Sequence, residues 1–238
     1  MEVQKNYLKF YIGGMIGGLS EVFLLHPIDF IKTKIQYLKT QNIIKNKPRY
    51  FKKLYNKYGI KPFFRGFFPR IYGIIPMRTL FFGTLTLSDK LLSENNISNS
   101  KFWAGAIAGS IQTFLDCPFE NYKTKQILGL SKISYYKGFL PHILRNVGFA
   151  SLFYITQNYF EENNINFLLG NAIASFGASF LTHPLDVWKT LLQGNIKYNW
   201  KTFTHREVLI SGLMSRCFYT LFAMTIGFTT HSYISNDL

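Results

Sequence analysis

Pro27-Ile-Asp29-Phe-Ile-Lys32 recurs as Pro118-Phe-Glu120-Asn-Tyr-Lys123 and again as Pro184-Leu-Asp186-Val-Trp-Lys189. Each copy is a proline, an acid two residues later and a base five residues later. Three such matches would arise by chance roughly once in a hundred thousand sequences, so the chain is built by internal repetition. Upstream, small residues recur in step: Gly14 and Gly18, Gly105 and Gly109, Asn171 and Ser175. Each pair is four apart, a spacing that lets membrane helices approach closely. Downstream, Phe64-Arg65-Gly66 is echoed by Tyr136-Lys137-Gly138 and more loosely by Ile210-Ser211-Gly212, each glycine opening the second helix of its repeat.

Composition narrows the class. The 238 residues are 47% hydrophobic and 18% aromatic, which excludes a disordered tail. A net charge of +15 draws the chain toward polyanions, carboxylates, phosphorylated metabolites or anionic lipid. Mean hydropathy is only +0.05, yet charged residues are 16%, below the roughly 25% of soluble domains. About 20 apolar residues cross a bilayer. Residues 163–185 and 217–236 contain no Asp, Glu, Lys or Arg and qualify outright. Shorter uncharged runs lie at 102–115, 146–160 and 79–88, and 10–28 is broken only by Glu21. Together they suggest six helices, whose polar faces would border an aqueous cavity and lower the average hydropathy. The first eleven residues lack the pattern of a signal peptide, so targeting is expected to be internal. Cys117 and Cys217 have no histidine at metal spacing and read as buried and inert.

The tripled motif, with its aromatic-base-glycine echo, resembles the mitochondrial carrier family over essentially the whole chain. The resemblance implies an all-α membrane protein, one carrier domain over 1–238. Six transmembrane helices would form three tandem two-helix repeats, 7–92, 101–162 and 166–235, around a pseudo-threefold axis. It further implies a monomeric, multi-pass antiporter of small metabolites, working by alternating access in the inner membrane of a mitochondrion or a reduced mitochondrion-related organelle. It implies no enzyme activity, cofactor or metal, and membrane lipid, cardiolipin, bound at Gly66, Gly138 and Gly212.

Physics supports a gate at the motif. A mid-helix proline removes a hydrogen bond and kinks the helix, so Pro27, Pro118 and Pro184 would bend three helices toward the axis. The family pattern pairs Asp29 with Lys123, Glu120 with Lys189 and Asp186 with Lys32 between repeats, closing the matrix side. Desolvation offsets much of the attraction, as a gate that must open requires. Gln36 and Gln193 match the family's bracing glutamine, whereas the second repeat has Ile127 there and Gln126 one place early. The chain also departs from the family. The second and third connections are cut down, leaving a short matrix helix expected only around Pro48 to Lys57. The acid and base expected near the end of each even helix are replaced by Thr86 with Asp89, Asn158 with Glu161 and Ser232 with Ser235. The cytoplasmic salt-bridge network is therefore expected to be absent.

Substrate contacts are sought on the even helices. Seven and eight residues past each glycine stand Gly73 and Ile74, Arg145 and Asn146, Tyr219 and Thr220, with Arg70, His142 and Arg216 one turn earlier. Arginine is costly in lipid, and its planar fork suits a carboxylate or phosphate. Arg70 and Arg216, nearer the helix starts, serve equally well as gate or headgroup contacts. Ser20-Glu21 before His26-Pro27, and Tyr72-Gly73-Ile74-Ile75-Pro76, are similar to the citrate and 2-oxodicarboxylate carriers. Arg145-Asn146 is similar to the pair those carriers use and unlike the glycine-aliphatic pair of adenine nucleotide carriers, while Tyr219 stands where they place an arginine. Glu21 would orient a cavity cation, couple a proton, or pair with Arg78.

The expected function is thus exchange of a di- or tricarboxylate or 2-oxo acid. The alternatives are a carrier-fold scaffold without transport and a nucleotide-type carrier. No Gly-Lys-Ser/Thr follows the glycines at 13, 14, 17 and 18, so they form no phosphate loop. Basic, aromatic Lys39 to Lys61 is read as meeting anionic lipid rather than nucleic acid.

Overall fold

The computed structural model describes residues 2–40, 47–131, 134–195 and 206–237, and among them every regular element is helical. The elements are α1 (Glu2–Thr40), α2 (Lys47–Tyr58), a 3-10 turn (Lys61–Phe64), α3 (Phe67–Glu94), α4 (Ser100–Leu128), α5 (Phe139–Glu162), α6 (Phe167–Leu181), α7 (His183–Gln193), α8 (Arg206–Leu209) and α9 (Leu213–Asp237). Six segments pack in chain order, α1 on α3, α3 on α4, α4 on α5, α5 on α6 and α6 on α9, and α9 returns to α1. The series closes on itself around a central space.

Pro27 lies inside α1 and Pro118 inside α4. The third motif differs: α6 ends at Leu181, Thr182 adopts φ −90° and ψ 3°, and α7 starts with Pro184 in its first turn. A proline is tolerated there because its missing N–H lacks an intrahelical partner anyway. The expected kink at Pro184 is a break, and the uncharged run 163–185 is divided, leaving α6 only 15 residues.

Among the described residues no helix is long and apolar enough to cross a membrane. This corrects the reading of 163–185 and 217–236 as sufficient in themselves. Polarity is instead sorted radially. On α4, Trp103, Ile107, Ile111 and Phe114 form an outward stripe, 50%, 38%, 42% and 56% exposed, while Asp116, Lys123 and Thr124 of the same helix are buried. On α6, Leu168, Leu169, Ile173, Phe176 and Phe180 face out while Asn171, Ser175 and Ser179 are buried. Exposed apolar stripes over buried ionic residues invert the usual soluble arrangement. Each helix is half polar, so its average hydropathy falls.

Close contact between α4 and α5 uses the small residues. A Cβ on Gly105 would stand 2.9 Å from the Ala150 carbonyl carbon, and one on Gly109 2.8 Å from the Asn146 oxygen. In the first connection α2 packs Phe51 and Leu54 against a cluster of Phe30, Phe63 and Ile127, leaving Lys52, Lys53 and Lys57 exposed. The helix expected around Pro48 to Lys57 is present, and α8 adds a short turn to the third connection. Part of the basic Lys39 to Lys61 stretch, 41–46, lies outside the described residues.

Candidate functional site

Three ion pairs between distant segments close one end of the central space. Lys123 Nζ lies 2.8 Å from Asp29 Oδ2, Lys189 Nζ 3.1 Å from Glu120 Oε1, and Lys32 Nζ 2.7 Å from Asp186 Oδ2. Lys123 also reaches Glu120 of its own helix at 2.7 Å. The acid and base three residues apart share a face, so one motif serves two neighbours. The Gln36 amide donates to Asp186 Oδ2 at 3.1 Å. Gln193 accepts from Thr124 at 3.3 Å, and Ile127 occupies the corresponding place in the apolar cluster with Phe30 and Phe63.

The three glycines that precede α3, α5 and α9 hold left-handed φ values of 83°, 74° and 78°. That conformation favours glycine. Each is also covered by the next segment of the ring: Gly66 by the Lys123 carbonyl and Ile127, Gly138 by the Lys189 carbonyl and Gln193, Gly212 by Gln36. The glycines themselves therefore serve helix entry and packing. Four residues past each glycine stand Arg70, His142 and Arg216; the two arginines line the cavity, whereas His142 is fully buried against Asp116.

That cavity holds about 130 Å³ and lies directly above the ion pairs. Its charged walls include Glu21, Arg70, Arg78, Asp116, Arg145 and Arg216. Arg145 Nη1 donates to Asp186 Oδ1 at 3.0 Å, while its Nη2 donates to Asn146 at 2.6 Å. Asn146 in turn donates to Thr113 at 2.9 Å. Arg216 holds the Thr182 carbonyl at 2.9 Å and hydroxyl at 2.7 Å, and lies 3.9 Å from Asp186. Glu21 is paired with Arg78, accepts the Tyr219 hydroxyl at 2.8 Å, and lies 3.8 Å from Arg70. Of the readings open for Glu21, the structure forms the pair with Arg78. Thr220 bonds Ser179. Farther up, Phe81, Phe149, Phe153 and Tyr154 line the space.

Ile74, Arg145, Asn146, Tyr219, Thr220, Arg70, Arg216 and Glu21 all line the cavity. Gly73 does not. A Cβ there would meet the Phe119 ring at 2.8 Å, so Gly73 is where α3 rests on α4, one residue's rotation away from the wall. Sequence reasoning missed Asp116, which is 3% exposed, lies 3.3 Å from Arg70 and 3.7 Å from Arg145, and is 2.9 Å from His142 Nε2. The signal was an acid four residues before Glu120, one turn away on the same face. Asp116, Glu120 and His142 offer ligand atoms within 4.8 Å of one another. Both carboxylates already face cations, so the cluster is an ion-pair node.

At the other end, where the family's network of charges is expected to be absent, the segments meet through apolar packing. Phe81, Phe82, Phe153 and Tyr154 are buried with Ala108, Ala150, Ala174 and Ala178. Lys101 meets Asp89 at 3.4 Å, but the two belong to consecutive helices and are partly exposed. The side chains of Ser232 and Ser235 lie outside the described residues.

A family model for mitochondrial carrier proteins matches residues 3–96. The mitochondrial aspartate-glutamate transporter of Saccharomyces cerevisiae is 26% identical over an alignment covering 84% of this chain and 29% of that protein. The electrogenic aspartate/glutamate antiporter of Mus musculus is 25% identical, covering 88% of this chain and 37% of that protein. The mitochondrial basic amino acids transporter of Mus musculus is 27% identical, covering 74% and 56%. The chain therefore matches about a third of the length of the first two relatives and just over half of the third.

Proposed function

We propose that the chain is a mitochondrial carrier, a reading its similarity to that family over residues 3–96 supports, and that it is an exchanger of small anionic metabolites, spanning the inner mitochondrial membrane with its six ring segments as three two-helix repeats, 7–92, 101–162 and 166–235. The observation that carries this reading is the position of Arg145, which lines the cavity and also donates to Asp186 of the ion-pair ring beneath it. The radial sorting of polarity supports the membrane setting, because apolar outward stripes suit lipid and the charges face a water-accessible interior.

Arg145 links binding to gating. An anion entering the cavity competes with Asp186 for the Arg145 guanidinium and takes one cation from the acid that anchors Lys32. Buried ion pairs hold weakly on balance because desolvation opposes them, so loss of one partner is enough to favour opening. The three pairs then separate and the solute leaves on the matrix side. Gln36 and Gln193 brace the closed state, and Pro27, Pro118 and Pro184 set where the three segments converge. Arg70, Arg216, Tyr219 and Thr220 complete the binding wall with Ile74 and Asn146. Anionic lipid headgroups, cardiolipin among them, sit outside the helix starts that Gly66, Gly138 and Gly212 open, where backbone N–H groups attract anions. The protein acts as a monomer and catalyses no chemical step.

The sequence favours carboxylates and 2-oxo acids, and the relatives' names add aspartate and glutamate to the candidates. The test is counter-exchange in vesicles carrying the purified protein, with labelled aspartate, malate or 2-oxoglutarate outside and unlabelled anion inside. Uptake that depends on the internal anion is expected. No uptake by folded protein that resists alkaline carbonate extraction would overturn transport and favour a scaffold.

A further inference from the structure

Five carboxylates surround the cavity floor and wall, and four of them have cations of their own. Asp29, Glu120 and Asp186 each meet a lysine within 3.1 Å, and Glu21 has Arg78 and the Tyr219 hydroxyl. Asp116 differs. No lysine pairs with it among the described residues, and its cations are Arg70 at 3.3 Å and Arg145 at 3.7 Å, the two guanidinium groups proposed above to receive the solute. Its other close partner is His142 Nε2, 2.9 Å from Oδ2 and fully buried.

A solute with two carboxylates draws both arginines toward itself. Asp116, only 3% exposed, is then stripped of its cations while still out of water. Uncompensated buried charge is strongly unfavourable. A solute that also carries an ammonium group restores the balance at the same spot, by donating to Asp116 the hydrogen bonds the arginines withdraw. Two guanidinium groups and one carboxylate are complementary to two carboxylates and one ammonium. A plain dicarboxylate lacks the ammonium, and a basic amino acid brings a second ammonium for which no further unclaimed acid lines the wall among the described residues. Resting on the exchanger reading above, we infer that Asp116 receives the ammonium group of the solute, and that the solute is an acidic amino acid rather than the plain di- or tricarboxylate expected from sequence.

The test is ligand-dependent thermal stabilisation of the purified full chain, comparing aspartate with succinate, glutamate with 2-oxoglutarate and glutarate, and lysine as the basic control. A ligand that binds the folded state alone raises the melting temperature by mass action. Apparent affinity for each acidic amino acid is expected to exceed that for its partner lacking the amine by at least tenfold. Asp116→Asn should bring that ratio close to one and Asp116→Glu should keep most of it. Equal affinity for aspartate and succinate, tighter binding of lysine, or an Asp116→Asn variant that weakens both classes by the same factor would each overturn the inference. If Asp116→Asn does not fold, the wild-type ratio decides alone. Binding of dicarboxylates without amino acids defeats this inference but leaves anion exchange standing. Binding of neither class by folded protein defeats both.

Discussion

The two ends of the ring are built on different physics. At one end Asp29, Lys32, Glu120, Lys123, Asp186 and Lys189 meet across segments far apart in sequence. At the other, Phe81, Phe82, Phe153 and Tyr154 interleave with four buried alanines, and the ion pairs there, the partly exposed Asp89 with Lys101 and the exposed Lys90 with Glu94, join neighbours in the chain. Directional pairs fix one register and can be handed to a competitor of like charge. Packed rings hold through area and shape, which no dissolved anion displaces. An anion in the cavity can therefore unlock the ionic end directly, while the aromatic end responds only when the segments move.

The largest effects should come from breaking each end by its own means. Lys189→Glu sets a second acid against Glu120, and removing a buried partner costs about 3–5 kcal/mol. Uptake in vesicles should be lost. Adding Glu120→Lys should recover part of it, with a coupling of about 1–3 kcal/mol. Recovery stays partial because Lys123, 2.7 Å from Glu120, would face the new lysine. Strict additivity would show that the pair does not close the gate. Phe153→Ala opens a hole in the aromatic cluster and should lower stability by about 3 kcal/mol, read as a fall in melting temperature. Phe153→Leu should regain more than half. A charge introduced there should rescue nothing, and rescue by charge would dissolve the contrast between the ends.

Arg145→Ala is next in size. It deletes charge-assisted bonds worth about 2 kcal/mol, so uptake should fall roughly thirtyfold. Asp186 keeps Lys32 at 2.7 Å and Gln36 at 3.1 Å, so the fold should survive with a melting temperature near wild type. Arg145→Lys should be intermediate, because an ammonium cannot span two acceptors as the fork does. Unchanged uptake would remove Arg145 from the link between cavity and gate.

What the sequence disclosed follows the repetition, and what it hid breaks it. Asp29, Glu120 and Asp186 with their lysines were legible because three copies of one spacing announce three equivalent faces. Asp116 was not, since the matching places in the other repeats are Leu25 and Thr182, and a lone departure carries no periodic signal. Gly73 was placed at the wall by counting from Gly66, but one residue turns a helix by about 100°, enough to carry it under Phe119. The helices themselves were read from uncharged runs, although the apolar surface is a stripe such as Trp103, Ile107, Ile111 and Phe114, which a linear count averages with the buried polar face. The break at Thr182 left no mark, because His183-Pro184 suits a kink and a helix start alike.

The smallest effect expected is the most discriminating for the contrast between the ends. Lys101 and Asp89 have side chains 43% and 25% exposed, and Ser100 already holds Asp89 at 2.8 Å. An exposed pair of this kind contributes about 1 kcal/mol at most. It also spans one short connection, so opening the ring need not break it. Lys101→Ala should therefore leave the balance between inward-open and outward-open protein almost unmoved. The measure is labelling of Thr79→Cys by a membrane-impermeant thiol reagent in vesicles, after Cys117 and Cys217, both buried, are replaced. Labelling rates with and without Lys101 should agree within about twofold, since a two-state equilibrium needs about 1.4 kcal/mol of differential stabilisation to move tenfold. A tenfold change would mean that Asp89 and Lys101 set that balance, and that charge acts at both ends of the ring.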